Sequence, residues 1–496
     1  MLSHLPILQV IVPLLAAPLC LFMLQHPKVT WLFATLASSM ALLISLLLLQ
    51  QVNAQGPISY MLGGWKAPIG IEYRIDTLAA FMLILVSTMS TITLVAAQTT
   101  IENKLDQPHQ TFFYIAFLLC LAGLLGIIAT GDTFNLFVFL EVSSLATYTL
   151  ISFGQDRRAL WASFQYLIMG TIGATFILIG IGLMYMMTGT LNMQDMALRL
   201  QEVHQTYAVF TAVAFFTVGV CIKLALFPLH LWLPGAYTHA PGIVTAFLAA
   251  TATKVAIYIL IRFVFSIYGV EFAMEQVPLS EIFMLLGLAG IVAASVVAIY
   301  QTNLKRLFAY SSVAQMGYII LGLSLGTPAG LKAALLHMFQ HALMKGAIFM
   351  ALAGLVYRLG SAHLSDLRGM GHRMPITTAA LVIGSLGLIG IPLTGGFISK
   401  WFLLVALIEN GWWPAAAVVL FSSILAIIYV WKVIETAYFL APGVVSNQQE
   451  GVQEAPWTVL LPTLLLALAS LYFGLLTRFP VETAQQAVMG LFGGTP

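Results

Sequence analysis

Apolar runs long enough to cross a lipid bilayer follow one another almost without pause along this chain, and nothing else constrains its fold as strongly. Crossing the hydrocarbon takes about 20 apolar residues wound as a helix, because each backbone polar group must find its partner inside the segment. Fourteen such segments are legible, at roughly 2–24, 29–50, 75–98, 111–130, 132–153, 160–187, 207–239, 242–266, 279–301, 308–326, 329–357, 376–409, 413–439 and 457–478, and they are counted below in that order. His26-Pro27, Gly131-Asp132, Pro241-Gly242 and Thr327-Pro328 are turn signals between them. The expected fold is an all-α integral membrane protein of about 14 transmembrane helices.

Composition excludes the soluble alternatives. Of 496 residues 60% are apolar and 8% charged, where a soluble domain carries roughly 25% charged residues. The longest polar loop, 441–456, is too short for a soluble domain. The net charge of +2 comes from dispersed Lys and Arg, so no nucleic-acid partner is expected. Cys20, Cys120 and Cys221 stand apart in apolar runs, which suits neither a disulfide framework nor a metal site. No Walker A, dinucleotide fingerprint or hydrolase-type carboxylate pair is present, and no cofactor is expected. The first run lacks a basic lead and a cleavage site, so it reads as a retained helix.

Basic residues orient the helices. With the N-terminus outside, the inner loops hold Lys28, Lys104, Arg157, Arg158, Lys305, Arg306, Arg358, Arg368 and Arg373. The outer side holds Lys66, Arg74, Arg199, Arg478 and, near the end of the eighth segment, Arg262. The bias predicts both termini outside.

Two segments are interrupted at mid-depth. Phe227-Pro228 and Leu233-Pro234 break the seventh, and Ile391-Pro392 with Gly395-Gly396 breaks the twelfth. Proline removes an amide donor and clashes with the preceding turn, leaving freed carbonyls that only protein or water can solvate. The two breaks lie five segments apart. They fit two inverted five-helix repeats, 111–266 and 279–439, after an N-terminal part, 1–110, and before a C-terminal part, 440–496, holding helix fourteen.

Charges then single out a path. A charged side chain at the bilayer centre costs about 2.5–3.5 kcal/mol on insertion scales, so those present are candidates for function. Glu141 lies in the fifth segment, Lys223 in the seventh before its break, Lys254 in the eighth and Lys400 just past the break in the twelfth. His337, His341 and Lys345 recur every four residues in the eleventh. Steps of four advance about 40° around a helix and ~6 Å along it, so the three form one stripe over ~12 Å. Its other faces, with Leu335, Met338, Phe339, Leu343, Ile348 and Phe349, suit lipid or packing. Histidine passes protons near neutrality. Burial favours the neutral form of a lysine and a nearby carboxylate the charged form, so moving Glu141 relative to Lys223 would switch that lysine between holding and releasing a proton. His230 and His239 flank the seventh-segment break, as accessory groups or as caps on freed carbonyls. Lys332 and Lys432 are expected to snorkel, and Asp76, Asp132 and Glu435 to be structural.

The order of motifs resembles the antiporter-like subunits shared by respiratory complex I and the multisubunit Mrp-type cation/proton antiporters. The resemblance runs through Gly131-Asp-Thr-Phe-Asn-Leu-Phe-Val-Phe-Leu-Glu141, Lys223 before Phe227-Pro-Leu-His-Leu-Trp-Leu-Pro234, and His239-Ala-Pro-Gly242. It continues through Asn303-Leu-Lys-Arg-Leu-Phe-Ala-Tyr-Ser-Ser-Val-Ala-Gln-Met-Gly317, His337-x-x-x-His341-Ala-x-x-Lys345 and Gly396-Phe-Ile-Ser-Lys400. It implies proton half-channels joined by a polar axis through Glu141, Lys223, Lys254, His341 and Lys400. It also implies partner subunits in a hetero-oligomeric antiporter complex in a bacterial inner membrane, with protons and sodium as the ions. The passages beginning at Tyr166 and Met186 are most similar to the D-type subunits of Mrp antiporters. Subunits of membrane-bound hydrogenases, formate hydrogenlyases and complex I, which are driven by redox chemistry, are similar too.

Overall fold

A computed structural model describes residues 2–154, 156–441 and 453–493. Most of the 441–456 loop lies outside the described residues.

Among those described, twelve helices are long and apolar enough to span a membrane. The seventh and twelfth segments are the remainder of the expected fourteen, each split into two shorter helices. The chain is thus a multi-pass, almost wholly helical membrane protein. Three elements escape the all-α expectation or its segment list. A two-stranded antiparallel hairpin, β1 (Ile58–Met61) with β2 (Glu72–Ile75), joins the second and third segments. An amphipathic helix, Met193–Val203, follows the sixth segment, and another, Arg478–Leu491, follows the fourteenth. The 440–496 part therefore holds more than one helix.

Polar side chains fix the starts of several helices by accepting an otherwise orphaned amide, as caps do. Asp76 accepts from Ala79 N–H at 2.9 Å, Asp132 from Asn135 at 2.7 Å and Asn303 from Arg306 at 3.1 Å. The structural role expected for Asp132 is this cap.

The fifth and tenth segments begin in the same way. Thr133 N–H donates to Leu191 and Met193 N–H to Gly131; Leu304 N–H donates to Ala362 and Leu364 N–H to Thr302, all at 2.8–2.9 Å. Thr133 and Leu191 are 58 residues apart, and so are Leu304 and Ala362. One contact pattern therefore occurs twice along the chain.

The eleventh segment, Pro328–Leu359, runs through the centre of the molecule. It is buried on every side from Ala333 to Leu355, and only its two ends are open. Its apolar faces pack against protein, with Leu335, Met338 and Ile348 fully covered, and none of them meets lipid.

Candidate functional site: a buried file of lysines and histidines

The breaks come first, because they place the charges. The seventh segment is helical over Tyr207–Lys223 and again over Trp232–His239. The twelfth is helical over Pro375–Ile389 and Gly395–Glu409. Each break contains a non-glycine residue in the left-handed region, Ala225 (φ 57°) and Leu393 (φ 78°). Such strain costs on the order of 1–3 kcal/mol and persists where surrounding structure imposes it. At Gly396 a Cβ would strike the carbonyl of Gly387, so only glycine lets the two half-helices approach.

Lys223 ends the first half of the seventh segment. Its ammonium lies 3.6 Å from Glu141 Oε1 and donates to Ser144 Oγ at 2.7 Å. Glu141 Oε1 itself has no hydrogen-bond partner among the described residues. The carbonyl of Ile222 at the break accepts from Ala225 N–H at 3.2 Å and from the indole N–H of Trp232 at 2.9 Å, and Trp232 stacks on Tyr166 with centroids 3.9 Å apart. A tryptophan therefore does the capping that the sequence suggested for histidine. His230 lies beside Phe227 and Tyr310, and His239 sits half-buried at the end of Trp232–His239.

A third break was not visible in the sequence. The eighth segment is interrupted at Thr251 (φ −122°, ψ −58°), between Gly242–Ala250 and Ala252–Ile261. Lys254, fully buried, reaches back across it to donate to the Ala249 carbonyl. A cavity of about 30 Å³ separates Lys223 from Ala252 at the start of the second half. That is room for a water molecule, which takes roughly 10–15 Å³ of such space.

The eleventh segment supplies the next groups. The rings of His337 and His341 lie parallel, 6.2 Å apart. His337 is held from both sides, Nδ1 by Ser399 Oγ and Nε2 by Gln315 Oε1, each at 2.8 Å. His341 is fully buried, yet neither ring nitrogen has a partner among the described residues. Leaving a buried polar atom unpaired costs about 1–3 kcal/mol. Lys345 donates to the Phe308 carbonyl at 2.8 Å and to Ser311 Oγ, both on the tenth segment.

Tyr318 links the histidines to the last lysine. Its ring centroid is 5.5 Å from that of His337, and the Lys400 ammonium lies 4.6 Å above it and 3.4 Å from its hydroxyl. Lys400 also donates to the Leu388 and Ile389 carbonyls and to Ser423 Oγ, each at 3.0 Å. Those carbonyls end the first half of the twelfth segment, where the helix dipole favours a cation.

Two sets of groups result. Glu141, Ser144 and Lys223 form the first, with Ser144 and Lys223 on the wall of a small cavity that the eighth segment closes with Ala252, Val255, Ala256 and Ile259; His341, His337, Tyr318 and Lys400 make a continuous row. The first half of the eighth segment, which carries the Lys254 acceptor, packs directly on the eleventh. Among the described residues only Lys223 of these buried lysines has a carboxylate within 4 Å; the others are solvated by carbonyls and hydroxyls. Sequence reasoning missed Ser144, Gln315, Tyr318 and Ser399. Ser311, Gln315 and Tyr318 do recur at helical spacing in the tenth segment, a weak signal. It also counted Lys305 as a loop charge, whereas Lys305 is buried and donates to the Ala240 carbonyl at 2.6 Å. Lys432 does not merely snorkel: it donates to the Ile299 and Gln301 carbonyls at 3.1 Å.

Residues 130–426 match the family described as NADH:quinone oxidoreductase/Mrp antiporter, transmembrane. The chain is 41% identical to NADH-quinone oxidoreductase subunit N of Desulforudis audaxviator, covering 96% of each. It is 29% identical to the D-type subunit of the Na(+)/H(+) antiporter of Bacillus subtilis, over 97% of this chain and 96% of the relative. A chain in the solved Mrp complex from a Dietzia species superimposes with a TM-score of 0.89 at 25% identity, over 99% of this chain and 97% of that one.

Proposed function

The chain belongs to the NADH:quinone oxidoreductase/Mrp antiporter family, and from that premise we propose that it carries protons through the membrane as one subunit of a multisubunit sodium/proton antiporter. The observation that carries this reading is the contact of Lys223 with Glu141, at 3.6 Å, at the head of a file of titratable groups. Closing the pair favours a protonated lysine, and opening it favours release. A released proton passes through the cavity towards Lys254, then along His341 and His337 to Lys400 at the second break. Lys345 stands beside the file, tied to the tenth segment, and His230 and His239 are accessory to it.

In this reading the repeats are 111–266 and 279–439, related by inversion, and the recurring contacts at Thr133 and Leu304 support them. The hairpin side, which holds both termini, faces outwards from a bacterial inner membrane. Partner subunits seal the path and provide the sodium route. The test is exchange in everted vesicles holding the whole complex: Glu141→Ala and Lys223→Ala should each abolish cation-induced collapse of ΔpH with assembly intact.

A second reading, a proton-pumping subunit of a redox-driven complex, is favoured by the 41% identity to a subunit of NADH-quinone oxidoreductase. Purifying the native complex decides between them. Co-purifying quinone- or hydrogen-reacting subunits with redox-driven proton uptake select the second; uptake driven by a sodium gradient selects the first.

A further inference from the structure

A recess of about 460 Å³ opens on the hairpin side, between the Met193–Val203 helix, the end of the eighth segment and the Arg478–Leu491 helix. Asp76, Arg262 and Tyr258 line it. Asp76 is fixed as the cap of Thr77–Glu102. Arg262 grips it with both terminal nitrogens, Nη1 on Oδ2 at 2.6 Å and Nη2 on Oδ1. Such a two-pronged pair is strong and directional. Arg262 Nε donates to the Tyr258 hydroxyl at 2.9 Å, and that hydroxyl donates to the Ile128 carbonyl at 2.8 Å.

What lies behind the pair gives it meaning. Lys254, Tyr258 and Arg262 are four residues apart, so they share one face of the eighth segment at ~6 Å per step. The face leads from the centre of the file to the recess, and Tyr258, 2% exposed, stands midway. Beyond Ile261 the α-helix gives way to a π-helical stretch, Arg262–Ile267. Such stretches are rare and occur frequently at functional positions.

We infer that the recess is the aqueous end of a second proton passage, which leaves the file at Lys254, runs by Tyr258 and is held shut by the Asp76–Arg262 pair. The inference rests on the proton-carrying reading above. Arginine keeps its proton at any physiological pH (pKa above ~12), so Arg262 acts as a gate and not as a relay. With the pair closed, the Tyr258 hydroxyl is occupied by Arg262 and Ile128. With Arg262 swung away, its oxygen accepts a proton from the Lys254 side and its own proton leaves to water in the recess, so the hydroxyl ends unchanged.

The test uses the whole complex in vesicles, with three changes in this chain. Ala197→Cys places a thiol on the recess wall. A membrane-impermeant trimethylammonium thiosulfonate added from the hairpin side should label it and slow exchange relative to the same variant unlabelled. Tyr258→Phe should slow exchange about a hundredfold or more at normal assembly, within the range for a lost proton-transfer group. Arg262→Gln should speed the decay of an imposed ΔpH in the absence of the exchanged cation, a leak that a purely structural pair would not produce. Absence of labelling, labelling without effect, unchanged exchange in Tyr258→Phe or unchanged decay in Arg262→Gln each overturns the passage. The Glu141→Ala complex separates the two claims. If it still exchanges, the proton-carrying reading itself fails; if it does not while the recess variants behave as wild type, only the passage fails.

Discussion

The ammonium of Lys400 lies 3.0 Å from the carbonyl oxygen of Ile389, so the second half of the twelfth segment caps the first with a positive charge. Lys254 makes the same kind of contact across the Thr251 break, to Ala249. In both places a buried lysine is solvated by carbonyls that an interrupted helix has released. The break and the charge therefore explain one another. Without the break the ammonium would lack acceptors, and without the ammonium the carbonyls would be orphaned inside the bilayer.

Lys400 should consequently matter for its ability to lose a proton. Arginine keeps the charge but does not titrate in the physiological range. Lys400→Arg is expected to assemble and to lose most turnover, about as badly as Lys400→Ala, while Lys400→Glu keeps some. Exchange rate against pH at matched complex levels measures this. Wild-type rates in Lys400→Arg would make Lys400 a fixed electrostatic post.

The grip on His337 should tune the row. Ser399→Ala removes one of its two holds, a hydrogen bond of about 0.5–1.5 kcal/mol, and leaves Gln315 in place. A loss of a few-fold in exchange is expected, smaller than for His337→Ala. The comparison needs only initial rates of both variants in the same vesicles. Equal losses would show that Ser399 is as indispensable as the ring.

How much of this was legible in the sequence follows the physics. The seventh and twelfth breaks could be read because proline announces them, and the charges because lipid makes charges rare. Thr251 carries no such mark: neither proline nor glycine adjoins it, and its distortion accompanies the Lys254–Ala249 contact. Gln315, Tyr318 and Ser399 were passed over because uncharged polar residues are ordinary in membrane helices. The hairpin was missed because its strands are only four residues each, inside a loop. Asp76 and Arg262 stood far apart in the chain, and nothing in either neighbourhood indicated the other.

Glycine packing gives a test of the twelfth-segment break that is independent of transport. Gly396→Ala places a methyl group against the Gly387 carbonyl and should lower the thermal stability and yield of the complex. Gly182→Ala, on a helix with nothing within 4 Å of the added Cβ, should be neutral or stabilising by up to about 1 kcal/mol. Melting curves of the two purified variants make the comparison. Equal stability would mean that the half-helices do not meet as described.

The chain expressed alone should exchange little or nothing, because in this reading the sodium route lies in partner subunits. Robust sodium/proton exchange by the purified chain in liposomes would contradict this.

The most direct measurement is exchange by the assembled complex carrying Glu141→Gln, which removes the carboxylate charge beside Lys223 with almost no change in volume. Everted vesicles are energised, sodium is added, and the collapse of ΔpH is followed at complex levels matched to wild type. The account predicts normal assembly and no sodium-induced collapse, since an uncharged partner 3.6 Å away cannot hold and release the Lys223 proton. Near-wild-type collapse would contradict it and leave the pair a static link in a helical scaffold.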